Sequence, residues 1–152
     1  MSSATILRQV DFLNIILVED DDGDAKALTR AMAQSGFADR VIRAVDGVEA
    51  LALLRRNDIS LDRCIMLVDL NMPRMSGLEL VSRIRADDQL RRAIIFIMST
   101  SDDERDLASA YDNQVAGYIM KRRVGSGFEN LIALFDSYRH IVETPKLRAA
   151  NA

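Results

Sequence analysis

The chain has 152 residues, 49% of them hydrophobic and 28% charged, with a formal net charge of -3 at pH 7. That length suits one domain with a single sizeable core, and the mild acidity gives no electrostatic ground for a nucleic-acid partner. No apolar run nears the roughly 20 residues needed to cross a bilayer, the start Met1-Ser2-Ser3-Ala4-Thr5 lacks a secretory layout, and the lone Cys64 excludes an internal disulfide, so a cytoplasmic protein with no membrane partner is expected.

In chain order, the apolar run Asn14-Ile15-Ile16-Leu17-Val18 reads as a first strand and ends at Glu19-Asp20. The polar patch 19–24 follows, with Asp22-Gly23-Asp24 as a helix entry. A helix is predicted over 25–35, with Ala27, Leu28, Ala31 and Met32 on one stripe and Gly36 as its stop. Residues 40–45 read as a second strand, Asp46-Gly47 as a short turn, and 48–57 as a helix turning Ala50, Leu51 and Leu54 inward.

The third strand is 64–69, in which Cys64-Ile65-Met66-Leu67-Val68 ends at Asp69. Cys64 reads there as a small buried hydrophobe. A loop holding Met72-Pro73 and Ser76-Gly77 leads to a helix over 78–86 with Leu80, Val81 and Ile84 facing the core. Ile94-Ile95-Phe96-Ile97-Met98 forms a fourth strand ending at Ser99, and 102–113 another helix. A short fifth strand in Val115-Ala116-Gly117-Tyr118-Ile119-Met120 ends at Lys121. After a loop over 122–127, a helix is expected over 128–142, and 145–152 reads as a mobile tail. The lone histidine, His140, reads as a surface residue.

Apolar runs alternating with stretches of helical period are the pattern of βαβ units. The strands that would sit centrally are nearly all apolar, as burial on both faces requires. The fold expected is α/β, an open parallel sheet with helices on both faces. Its boundaries are an N-terminal extension 1–13, a domain 14–142 and a C-terminal tail 143–152.

In such a sheet ligands sit beyond the carboxyl ends of the strands. Glu19, Asp20 and Asp69 then converge with the hydroxyl of Ser99 and the ammonium of Lys121. Gathered carboxylates repel one another, and a hard dication with oxygen ligands removes the repulsion. The set therefore reads as a site for Mg²⁺ and a phosphoryl group. The stretch Glu19-Asp20-Asp21-Asp22 offers several acids; Glu19 and Asp20 are assigned because they directly follow Val18, leaving Asp21 and Asp22 to solvent or to the helix N-terminus.

Leu17-Val18-Glu19-Asp20, Leu67-Val68-Asp69-Leu70-Asn71-Met72-Pro73, Ser76-Gly77, Ser99 and Tyr118-Ile119-Met120-Lys121 together resemble the receiver domain of two-component response regulators. The resemblance runs from about Asn14 to Val142 and implies a flavodoxin-like five-stranded sheet of order 2-1-3-4-5. It implies a phosphorylation-controlled switch rather than an enzyme, in which Asp69 accepts a phosphoryl group from a phosphohistidine of a sensor histidine kinase. It further implies that Asp20, Asp69 and the Asn71 backbone carbonyl bind Mg²⁺ directly, that Glu19 acts through water, and that Lys121 and Ser99 contact the phosphoryl oxygens. Ser99, Thr100 and Tyr118 take the switch positions, with the tyrosine ring rotating inward behind the hydroxyl.

Two residues depart from the family pattern. Arg122 stands where proline usually follows the lysine, so a trans peptide bond and a different loop path are expected. Thr100 stands where a smaller residue is common, which narrows the approach of attacking water and predicts slow loss of phosphate. The last helix carries more apolar residues than one buried face needs: Phe128, Leu131, Ile132, Phe135 and Tyr138 on one stripe, Leu134 and Ile141 beside it. With Val142-Glu143-Thr144-Pro145 it resembles the C-terminal region of single-domain regulators that work with bacterial phytochrome kinases, although Asp136 stands where those often carry tryptophan. A homodimer through Leu134, Phe135, Tyr138, Ile141 and Val142 is expected, and output through a downstream protein or phosphotransfer protein, since no output segment follows the last helix. Two rivals are a haloacid-dehalogenase-type phosphatase, disfavoured because Asn71 supplies no general acid, and an unphosphorylated pseudo-receiver.

Overall fold

The computed structural model describes residues 12–37, 41–56, 58 and 60–147. Five parallel strands, β1 (Asn14–Val18), β2 (Val41–Ala44), β3 (Cys64–Asp69), β4 (Ile94–Ser99) and β5 (Gly117–Met120), lie in the order β2-β1-β3-β4-β5. Five α-helices alternate with them: α1 (Asp22–Met32), α2 (Gly47–Leu54), α3 (Gly77–Arg85), α4 (Glu104–Asp112) and α5 (Glu129–Ile141). The expected doubly wound sheet of order 2-1-3-4-5 is present.

Period-two alternation along the strands divides the core between two faces. Ile16, Val18, Met66, Val68, Ile95 and Ile97 share one cluster with Ala50, Leu54, Leu80, Val81, Ile84 and Ala110. Ile15, Leu17, Ile65, Leu67, Phe96 and Met98 share the other with Leu28, Met32, Leu131 and Phe135. Helices α2, α3 and α4 therefore cover one face, and α1 and α5 the other. Cys64 is buried and free, and burial pushes its thiol up to about 12.

Helix starts follow the caps rather than the apolar stripes. Asp21, Asp46, Ser76 and Asp103 each accept a backbone hydrogen bond from the first turn of α1, α2, α3 and α4. Hence α1 begins at Asp22 and not at 25, and Asp46-Gly47 is a cap rather than a free turn. Helix α1 ends at Met32 in a wide turn over Ala33–Phe37, closed by Gly36 at φ 92°. Helix α5 starts one residue later than expected, because Phe128 is left-handed at φ 62°. Gly117 sits in a tight approach: a Cβ there would lie 3.2 Å from the Phe96 ring, which itself packs edge-on against Phe135 and Tyr138 at 5.6 and 5.8 Å.

Two expectations for the C-terminal region need correction. Phe135 is 0% exposed in the sheet-facing core, so it has no surface to offer a second copy. Leu134 and Ile141, at 40% and 81% exposed, do face outward. The segment 142–147 is not a free tail: Leu147 is 6% exposed and joins the core cluster on the α2–α3 face, opposite α5. Arg63 holds the start of this crossing, donating to the carbonyls of Phe12, Arg139 and Val142 at 2.7, 2.6 and 3.5 Å. Residues 148–152 of the expected tail lie outside the described residues.

Leu147→Ala is expected to lower unfolding stability by about 2 kcal/mol, the low end for a buried leucine because a chain end relaxes readily. Urea denaturation checks this; a variant as stable as the wild type means that the segment is not docked.

Candidate functional site

The strand register builds the site. Val18 pairs with Val68, so Glu19 emerges beside Asp69. Asp69 pairs with Met98, which puts Ser99 one residue beyond it, and Ser99 pairs with Met120, which puts Lys121 one step further. Carboxylate oxygens of Glu19, Asp20 and Asp69 all lie within 4.8 Å of one another. Glu19, Asp69 and Ser99 are buried, and Asp20 is exposed at the mouth.

Lys121 answers the charge: its Nζ lies 3.4 Å from Glu19 Oε1 and 3.5 Å from Asp69 Oδ1. Burial by itself would lower the Lys121 pKa, but the charges of Asp69 and Glu19 outweigh it and raise it. One ammonium does not satisfy three acids. Burial first, then the hydrogen bond and charge of Asp69, push Glu19 from 4.5 up to about 8. A donor set of oxygens only, two of them buried and short of positive charge, fits Mg²⁺ as a hard dication.

The neighbouring acids are already engaged. Asp21 accepts the Asp24 N–H at 2.7 Å, and Asp22 pairs with Arg43 at 2.7 Å. Of the run of four, Glu19 and Asp20 are the two whose carboxylates lie with Asp69. Asn71 donates its N–H to Asp69 Oδ1 at 3.4 Å, which places its peptide beside the carboxylate. Gly77 lets α3 begin against the end of β3, since a Cβ there would lie 2.4 Å from the Asp69 carbonyl oxygen.

Every peptide bond among the described residues is trans, as expected around Arg122, and Lys121–Arg123 forms a single 3₁₀ turn. Lys121 nevertheless reaches both acids. Arg122 lies 3.9 Å from Asp102 across the surface, rather than over the acidic cluster.

Ser99, Thr100 and Tyr118 are brought together with an element that sequence reasoning missed. Ser101 donates its N–H to Ser99 Oγ at 2.9 Å, and its carbonyl accepts the Tyr118 hydroxyl at 2.8 Å. Its own hydroxyl donates to Asp106 of α4 at 3.0 Å. Thr100 is exposed beside them. Asp46 was missed as well: beyond capping α2 it forms an ion pair with Arg74, joining the β2–α2 junction to the loop after Asp69. A capping Asp-Gly was visible in the sequence; the partner, left-handed at φ 64°, was not.

The Glu49 N–H, then Arg74, hold the Asp46 carboxyl below its ordinary 3.8. A depressed acid contributes stability above its unfolded pKa and loses it as pH falls through the folded one. Asp46→Asn, which keeps a capping side chain but not the charge, is expected to cost about 1 kcal/mol at pH 7. That gap should close as pH drops below 3.8. Urea melts at several pH values check the sign; a gap that widens in acid contradicts it.

Residues 15–132 match the family description "Response regulator receiver domain". The chain is 35% identical over 124 residues to the probable methanogenesis regulatory protein FilR2 of Methanothrix harundinacea, covering 80% of this chain and 79% of that protein. It is 30% identical over 143 residues to response regulator Rcp1 of Synechocystis, covering 90% and 93%. The structure of Rcp1 in its Mn²⁺-bound form superposes with a TM-score of 0.73 over 88% of this chain and 99% of that one. The phosphorylated cyanobacterial phytochrome response regulator RcpA gives 0.73 at 30% identity, over 89% and 99%.

Proposed function

The chain belongs to the response regulator receiver domain family of two-component signalling, and from that premise we propose that it is a Mg²⁺-dependent switch phosphorylated on Asp69 by a sensor histidine kinase. The observation that carries this is the packing of Glu19, Asp20 and Asp69 within 4.8 Å beside Lys121. In this reading Asp20, Asp69 and the Asn71 backbone carbonyl hold the ion, and Glu19 acts through water. Mg²⁺ supplies charge neutralisation for the phosphoryl oxygens and shields the nucleophile.

An Asp69 carboxylate oxygen attacks the phosphorus of the phosphohistidine. The N–P bond breaks as the O–P bond forms, and the imidazole nitrogen keeps the electron pair. Lys121, already 3.5 Å from Asp69 Oδ1, neutralises the transferred group as a point charge, and Ser99 hydrogen-bonds one of its oxygens. Movement of Ser99 then disturbs the Ser101 N–H it now accepts, and through Ser101 the Tyr118 hydroxyl and Asp106 of α4. The signal passes to a downstream protein or phosphotransfer protein.

RcpA is described as a phytochrome response regulator, and that likeness supports a bacterial phytochrome as the kinase here. Exposed Leu134 and Ile141, with half-buried Tyr138 and Val142 beside them, offer the apolar strip for a homodimer.

Incubation with a small phosphodonor and Mg²⁺ should label the wild type stoichiometrically and Asp69→Asn not at all. Multiple turnover indicates a phosphatase, and no wild-type labelling a pseudo-receiver. Once labelled, Thr100→Ala should lose phosphate faster than the wild type; equal decay rates contradict the shielding role of Thr100.

Light scattering on a sizing column should show the wild type as a dimer and Ile141→Glu as a folded monomer. A monomeric wild type, phosphorylated or not, rules the dimer out.

A further inference from the structure

Arg43 is the one charged residue in β2, between Ile42 and Ala44 and paired in register with Leu17. Its side chain does not go to solvent. Nε and one terminal nitrogen both donate to the backbone carbonyl of Glu19, at 3.0 and 2.9 Å. The other terminal nitrogen meets Asp22 Oδ1 at 2.7 Å. The Glu19 N–H is fixed from the same edge strand by the Ala44 carbonyl at 3.0 Å. The peptide unit joining Glu19 to Asp20 is therefore held from β2, and mostly by one guanidinium.

That matters because Asp20 has nothing else to place it. Its carboxylate is exposed and makes no hydrogen bond or ion pair among the described residues. Glu19 is oriented by Lys121 and by the Asp21 N–H at 3.4 Å; Asp69 is oriented by Lys121 and Asn71. Asp20 is positioned through its backbone alone. Arg43 is itself anchored by Asp22, the acid two residues on, at 2.7 Å.

We propose that Arg43 is a positioning residue that sets the divalent-ion preference of the acidic site, favouring Mg²⁺ over larger dications by fixing the Glu19–Asp20 peptide. The inference rests on the reading that Glu19, Asp20 and Asp69 bind a dication. Mg²⁺ demands near-ideal octahedral geometry at short distance, whereas Ca²⁺ takes six to eight oxygens in a flexible arrangement. Loosening the turn should penalise the first ion and spare the second.

The test is calorimetric and NMR titration of the unphosphorylated protein with Mg²⁺ and with Ca²⁺. Arg43→Gln should lose about tenfold in Mg²⁺ affinity, as outer partners of metal ligands commonly do, while Ca²⁺ affinity changes by less than about threefold. Arg43→Lys, with one cationic donor, should fall between. Asp22→Asn leaves the Glu19 carbonyl contacts in place, and its Mg²⁺ affinity should stay within about twofold of the wild type. A loss shared equally by both ions, or an unchanged Mg²⁺ affinity in Arg43→Gln, overturns the inference but leaves the switch intact. A wild type that binds neither ion overturns the proposed function and this inference with it. Should Arg43→Gln fail to fold, Arg43→Lys carries the same comparison.

Discussion

Three carboxylates within 4.8 Å of one another repel in a pocket whose floor is the buried end of a parallel sheet. At an effective dielectric near 20, each ionised pair at that spacing costs of order 3 kcal/mol. Folding gathers these groups anyway, because the register of β1 and β3 sets Glu19 beside Asp69. The protein answers with one ammonium, and burial beside Asp69 raises the Glu19 pKa to about 8. Such a site is charge-deficient by construction, and a dication followed by a phosphoryl group is what its geometry and charge suit.

The surrounding polar contacts make sense against that repulsion. Besides their mutual hydrogen bond, Glu19 and Asp69 are both held from outside. Lys121 bridges them, the β3–α3 loop is tied back by Asp46 and Arg74, and the β1–α1 turn is tied back by Arg43. Gly77 completes the arrangement by letting α3 start in contact with the carbonyl of Asp69. The backbone there is tightened against a strain that comes from side-chain charge.

Strand identity and the acids at the strand ends were legible in the sequence because burial on both faces writes a long apolar run with an abrupt polar end; the strand order came only with the resemblance to the receiver family. The third strand matched to the residue, 64–69. Helix starts were less legible, because a single capping side chain decides them and an apolar stripe marks only the packed turns. What stayed hidden depends on partners distant in sequence. The Asp46–Arg74 pair is 28 residues apart, and Arg63 reaches Arg139 across 76. The fate of Leu147 was hidden too, since a short tail gives no hint that its one leucine crosses to the opposite face of the sheet. Arg43 did leave a trace, a charge inside an otherwise apolar strand, but nothing in the pattern said where it pointed.

The two flanks of the acidic cluster differ in how a change at Asp69 can travel. Towards α1 and α5 the contacts are apolar and interlocked, with Phe96 wedged between Phe135 and Tyr138 over Gly117. Close-packed interiors of this kind resist small displacements. Towards α4 the contacts are hydrogen bonds in series: Ser101 N–H to Ser99, the Ser101 carbonyl to Tyr118, and the Ser101 hydroxyl to Asp106. Each can be exchanged for another partner at a net cost of about 1 kcal/mol, well within what a new doubly charged group beside Ser99 supplies. A local charge event biases whichever element has two arrangements of similar energy. By that criterion the β4–α4 loop, with Ser101 at its centre, holds the contacts that exchange most readily, and α5 those that exchange least.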